Sequence, residues 1–234
     1  MIDEIDFETY LYISKNHFKI FVFDKKSLKN LYQEVLKVHE DFKFQELKEL
    51  TKFLDDNIFK IENLVGNFIK NIILILENDK SSYVDICLKK KNYYQLINEK
   101  NLENILIEAK DLFNENYKDQ MIMHMVISNF IINGKEYSSI RNNLKSDNLC
   151  LDINFKFISN ELIFILDKIL ENYQIKVSQY LNGNYIKDFF REDDIELSEM
   201  VYKIRNGYNS NEVMLIPKSI INKGFFEKFF QFFS

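Results

Sequence analysis

Few side chains in this sequence could ligate a metal, move a proton or attack a carbonyl, and they are scattered. The three histidines, His17, His39 and His124, fall on different predicted elements. None has an Asp, Glu or Cys at the helical spacing that would make a metal site. His124 lies inside the apolar stretch 121–132 and reads as a satisfied core histidine rather than a ligand. Cys87 and Cys150 are far apart in sequence on separate predicted strands, which favours buried free thiols in a reducing cytosol over a disulfide or metal pair. Asp55-Asp56 and Asp193-Asp194 are adjacent pairs, and adjacent side chains diverge on a helix, so they make poor acid–base partners. No Ser or Cys stands in a nucleophile-elbow context. With 5 Gly and 1 Pro, the chain has little material for a loop that cradles phosphate. The expectation is a protein that is not an enzyme, with no cofactor and no metal.

Two stretches carry binding chemistry instead. Lys89-Lys90-Lys91-Asn92-Tyr93-Tyr94 sets basic residues beside aromatics, a combination that can contact single-stranded nucleic acid. The favoured reading is plainer: a solvated turn with its tyrosines packed at the foot. A net charge of −5 and only three arginines, Arg141, Arg191 and Arg205, argue against nucleic acid as a partner. The second stretch closes the chain. On a helical wheel, Phe225, Phe226, Phe229, Phe230, Phe232 and Phe233 share roughly half the circumference, with Lys223 and Lys228 available to lipid headgroups. Burying one Phe fully contributes about 1.5–3 kcal/mol. Partial interfacial burial contributes less, and still supports a reversible membrane foot. The same face would equally suit docking on the protein's own core or on a second copy.

The elements that must carry these residues follow from periodicity. Residues 7–13 and 18–23 read as strands joined at Ser14-Lys15-Asn16-His17, and 28–38 as a third strand. Residues 44–65 repeat apolar positions every three or four residues, predicting a helix that Gly66 stops. The run 69–76 predicts a central strand covered on both faces. A loop at 77–82 and a strand at 83–88 follow. A helix over 98–116 is capped by Asn98 or Asn101. Then come the strand 121–132, a tight turn at Asn133-Gly134, and a returning strand at 149–158 whose apolar residues alternate. A helix capped by Ser159 or Asn160 and a strand over 175–181 complete the body. An acidic linker at 191–196, a helix over 195–204 and a short strand at 213–216 precede the tail. The acidic opening Met-Ile-Asp-Glu-Ile-Asp is not a secretory signal, and the longest aliphatic run, 72–76, is too short to span a bilayer. The whole reads as α+β.

In order, these segments resemble the bacterial cell-division protein FtsA, an actin-like family that tethers the FtsZ ring to the membrane. The likeness lies in the helix 44–65 with Gly66-Asn67-Phe68-Ile69, and in Ile97-Asn98-Glu99-Lys100-Asn101-Leu102 through Ala109-Lys110. It continues in Met123-His124-Met125-Val126-Ile127 with Phe130-Ile131-Ile132-Asn133-Gly134, in 149–158, and in 162–181. Glu196-Leu197-Ser198-Glu199-Met200-Val201 with Lys203-Ile204-Arg205-Asn206-Gly207-Tyr208 resembles an element near the family's C-terminal end, and the Phe-rich tail sits where the family carries its membrane helix. The resemblance implies a partial actin-like body of subdomain 1A type over 1–77 and 158–190. It also implies a 1C-type subdomain inserted at 78–157, a remnant and linker at 191–218, and an amphipathic membrane-targeting helix at 219–234. The family's Asp-Ile-Gly phosphate loop should fall at Tyr12-Ile13-Ser14, which has neither the Asp nor the Gly, and the larger nucleotide-binding half is missing after Phe190. What remains implied is a non-catalytic adaptor, peripheral on the cytoplasmic face of the inner membrane at the division site. Its partners would be lipid and division proteins, FtsZ or later components. The alternative is a soluble scaffold that self-associates through the Phe tail.

Overall fold

The computed structural model describes residues 6–38, 48–77, 82–139 and 144–214. His39 and the proposed membrane-binding set, Lys223, Phe225, Phe226, Lys228, Phe229, Phe230, Phe232 and Phe233, lie outside them. The fold is α+β, with two sheets in two compact units.

The first unit begins with a meander of β1 (Phe7–Ile13), β2 (His17–Asp24) and β3 (Lys29–Lys37). Helix α1 (Lys48–Val65) then leads to β4 (Asn71–Leu76). After the second unit the chain returns with α3 (Asn160–Glu171), β9 (Lys176–Asn182), α4 (Gly183–Phe189) and α5 (Leu197–Arg205). The sheet order is β3-β2-β1-β4-β9, with β4 parallel to both β1 and β9 and β2 antiparallel to its neighbours. Strands β1 and β4 are buried on both faces, which is why their sequences run apolar without alternating. Tyr10, Tyr12, Phe21, Phe23, Ile73 and Ile75 face a core completed by Ile186, Phe190, Leu197, Val201 and Ile204. On α1, the three- and four-residue spacing buries Leu50, Phe53, Leu54, Ile58 and Ile61, with Phe53 against Phe18 of β2 at 6.2 Å between ring centroids. Gly66 ends the helix region at φ 69°, the left-handed stop expected there.

The second unit pairs a four-stranded sheet, ordered β5-β8-β6-β7, with α2 (Glu99–Asn116). The strands are β5 (Ser82–Leu96), β6 (Gln120–Ile132), β7 (Lys135–Tyr137) and β8 (Lys145–Ser159). Asn98 caps α2 by accepting from the Asn101 backbone N–H at 3.0 Å. Leu102, Ile105, Leu106, Ala109 and Phe113 pack with Met125, Ile127, Leu151, Ile153 and Phe155. Asn133 and Gly134 adopt φ 51° and 82°, as a two-residue hairpin requires. That hairpin returns into β7, with Ile132 opposite Lys135, while the alternating run expected after it, β8, pairs with β5. The stretch 191–218, expected as linker and remnant, is divided: 197–204 belong to the first unit's core, and Val213 belongs to the second's.

Candidate functional site

At one end of the first sheet the chain brings together groups distant in sequence. Register sets Ile13 beside Leu76 and Leu76 beside Asn182, so the residues that follow these strands converge there. The Glu77 amide donates to the Ile13 carbonyl at 2.9 Å. Gly183 opens α4 against β4, where an added Cβ would meet Glu77 Cβ and Ile75 Cγ2 at 3.3 Å. That close seating carries Lys187, one turn on, to Glu77 Oε2 at 2.5 Å and to the Tyr12 hydroxyl at 2.8 Å. The Tyr12 hydroxyl in turn donates to Glu77, and the Lys187 ammonium stands 4.7 Å from the Tyr12 ring centroid.

This is the end of the sheet where the resemblance places a phosphate loop. A phosphate loop needs backbone N–H groups aimed outward. Here the β1–β2 turn uses them internally: the amides of Asn16 and His17 donate to Ser14 Oγ at 3.4 and 3.0 Å, and the Ser14 amide donates to the His17 carbonyl at 3.0 Å. Ser14 is buried. The start of α4 is likewise occupied, because the Asn182 side chain accepts from the Tyr185 amide at 2.8 Å.

The electrostatics suit a structural role. Burial is the largest influence on Tyr12 and raises its phenol, and the hydrogen bond to Glu77 raises it further. For Lys187 burial alone would lower the pKa, but bonds to Glu77 and Tyr12 outweigh it and the net shift is upward. Lys187 is therefore an ammonium at neutral pH, without a lone pair for proton abstraction or attack.

The second unit holds His124 and both cysteines, while His17 lies on β2 and Asp55-Asp56 on α1 of the first. His124 is buried, with Nδ1 2.6 Å from Glu212 Oε1, itself buried. Residues 211–213 run beside β6, held by the Val126–Glu212 bridge and by the Ile127 and Val213 amides donating to Asn211 and Met125 carbonyls. Cys87 and Cys150 are both free thiols. Cys150 is buried as expected, but Cys87 is exposed, because it points to the face of β5 opposite the core-facing Ile86 and Leu88. The pair expected to be remote is close, and their sulfurs and an Asp152 oxygen all lie within 4.8 Å of one another.

The Lys-Tyr run corrects its expectation. It is not a turn: β5 continues through it, and the pairing with β8 slips between Lys91 and Gln95. The tyrosines are not packed at its foot. Tyr93 is 75% exposed and Tyr94 68%, both at positive φ (48° and 59°), where an aromatic side chain is strained. Asn92 anchors the bulge from beneath. It is buried, its Nδ2 donates to Gln95 O at 2.7 Å and Ser146 Oγ at 3.0 Å, and its Oδ1 accepts from Asn101 at 2.5 Å. Lys90 pairs with Glu108 on α2. Sequence reading missed this bulge because nothing in it alternates; the one signal was the short polar Asn amid larger residues.

No helix among the described residues is long and apolar enough to cross a membrane. No protein-family model and no curated protein matches the sequence. Solved structures do. The PilM-PilN type IV pilus biogenesis complex aligns at TM-score 0.46 and 8% identity, over 79% of this chain and 50% of that one. The cytoplasmic domain of EpsL, an inner membrane component of the type II secretion system of Vibrio cholerae, aligns at TM-score 0.33 and 11% identity, over 77% and 57%. A Bacteroides thetaiotaomicron protein with an actin-like ATPase fold and unknown function aligns at TM-score 0.33 and 13% identity, over 83% and 61%. The chain thus spans 50–61% of the length of these structures.

Proposed function

We propose that the chain is a non-catalytic adaptor built on part of an actin-like body, which holds protein partners in a membrane-associated assembly. The observation that carries this is the filled sheet end. Ser14 takes up the turn amides, Asn182 caps α4, and Tyr12, Glu77 and Lys187 bond to one another where a nucleotide's phosphates would need open donors. The strand order β3-β2-β1-β4-β9, with the second unit entering after β4 and leaving before α3, supports the body-plus-insert plan of the FtsA resemblance. The Tyr93-Tyr94 bulge supports a partner surface on the insert, since two strained, exposed aromatics are the kind of rigid anchor that interfaces use.

The finer reading is an FtsA-like role at the division site, with Phe225, Phe226, Phe229, Phe230, Phe232 and Phe233 lying in the inner leaflet. Three measurements test the proposal. Titration calorimetry with ATP and Mg²⁺ should give no heat of binding; micromolar binding defeats the non-catalytic reading. Flotation with anionic liposomes should carry the full chain and lose one ending at Pro217; equal flotation removes the membrane claim. Purified FtsZ and later division proteins should be retained by the full chain and released by Tyr93→Ser/Tyr94→Ser; retention of none removes the division role.

A further inference from the structure

We propose that Cys87, Cys150 and Asp152 form a binding site for a thiophilic divalent cation, zinc being the ion their chemistry fits. The site is fixed by strand register. Cys87 on β5 stands directly opposite Asp152 on β8, and the next pair on the same face is Lys89 opposite Cys150. The two thiols therefore sit on one diagonal of a four-residue patch, with Asp152 and Lys89 on the other. All four point away from the core that Ile86, Leu88, Leu151 and Ile153 enter on the alternate positions. The three ligand atoms lie within 4.8 Å of one another, a spread that small side-chain rotations close to a common centre.

The donor set selects the ion. Two thiolates and one carboxylate are borderline-soft ligands, suited to a tetrahedral ion that keeps its fourth position for water. They would leave a charge of −1 around a divalent cation, and the Lys89 ammonium shares the face. Access differs between the thiols in a useful way: Cys150 is buried and anchors the floor, while Cys87 is exposed and leaves a path from solvent.

Metal-free, the group holds itself together with protons. The Cys87 thiol is pushed up to about 12, first by partial desolvation of its sulfur and then by hydrogen bonds to Cys150 and Asp152. Binding replaces two S–H protons with two S–metal bonds and releases both protons to solvent, with no change of oxidation state. Affinity therefore rises with pH, because protons are a product of binding.

The test is a Co²⁺ titration of the full chain held reduced by a phosphine. One ion per chain should produce near-ultraviolet thiolate-to-cobalt absorption with the visible bands of a tetrahedral site, and Zn²⁺ should bleach both. Cys87→Ser and Cys150→Ser should each abolish the near-ultraviolet band. Asp152→Asn should keep it and weaken affinity tenfold or more. Because Cys150 is buried, the exposed Cys87→Ser variant guards against loss of fold: Zn²⁺ should raise the thermal midpoint of the parent chain and leave that of Cys87→Ser unmoved. No thiolate absorption in the parent, or a band that survives Cys87→Ser, overturns the proposal.

Discussion

Lys187 lies 110 positions after Glu77 and still places its ammonium 2.5 Å from the Glu77 carboxylate, because β4 and β9 run side by side and α4 begins against β4. The pair is partly open to solvent, with the Lys187 side chain 44% exposed, so its worth must be discounted for screening. Lys187→Met should cost about 1 kcal/mol, read from urea unfolding at neutral pH. The loss should shrink at high salt. A cost unchanged by salt would mean that packing of the lysine stem, not charge, holds α4 in place.

Alkaline pH should weaken the first unit. Lys187, Tyr12, Tyr173 and Tyr180 all hold their protons more tightly in the folded chain than ordinary lysine or tyrosine. For the three tyrosines the leading cause is burial, reinforced by the carboxylates of Glu77, Asp55 and Asp167 respectively. Unfolding then releases protons, so stability is intact below the unfolded values near ~10 and falls as pH climbs through the folded ones. The urea midpoint should be steady from neutral pH to about 9.5 and drop beyond it. Tyr180→Phe should lower neutral stability by about 1 kcal/mol and flatten the alkaline fall. A midpoint flat through that range in the parent chain would contradict this account.

The His124–Glu212 contact ties residues 211–213 to β6 from within a buried setting. Both side chains are buried and each loses a hydrogen-bond partner when the other is removed, so Glu212→Ala and His124→Ala should each cost about 1–3 kcal/mol. The double variant should cost clearly less than the sum, and a double-mutant cycle measures the difference. Strict additivity would show that the two side chains do not depend on each other. Amide exchange at Ile127 and Val213 should quicken in either single variant.

At Tyr93 and Tyr94 the strain itself can be relieved. Asn tolerates positive φ far better than an aromatic residue, so Tyr93→Asn or Tyr94→Asn should stabilise the second unit by about 0.5–1 kcal/mol in thermal unfolding. Asn92→Ala should do the opposite, by about 2 kcal/mol, since it leaves Ser146 and Asn101 without that partner. A destabilised Tyr93→Asn would show that the ring contributes packing which its exposure does not suggest.

Much of the scaffold was legible from the residues. Three- and four-residue spacing predicted α1 and α2, the unbroken apolar run predicted β4, and Asn133-Gly134 predicted a turn at positive φ. These signals are local, set by period or by a backbone only certain residues adopt. Local reading failed where pairing decides. β5 runs on through Lys89–Lys91 because β8 pairs with it there, and it resumes at Gln95 after the bulge, although the polar side chains of that stretch resemble a loop. Three-residue β7 and seven-residue α4 are too short to show a period. The Cys87–Asp152 register and the His124–Glu212 contact join positions 65 and 88 residues apart, and nothing in the spacing of either pair announces it.

The two units also interlock along the chain. The first needs β9 and 197–204, which emerge after the second unit's sheet, and the second needs 211–213, which emerge after the first is complete. On the ribosome, then, neither body can be finished before the other has begun. A nascent chain halted after Ile204 would carry His124 without Glu212 and an uncovered stretch of β6 backbone beside Met125 and Ile127. Residues 211–213 thus close the second unit late, after every strand and helix of the first has emerged, so loss of that short segment would be felt at β6, made about 80 residues earlier.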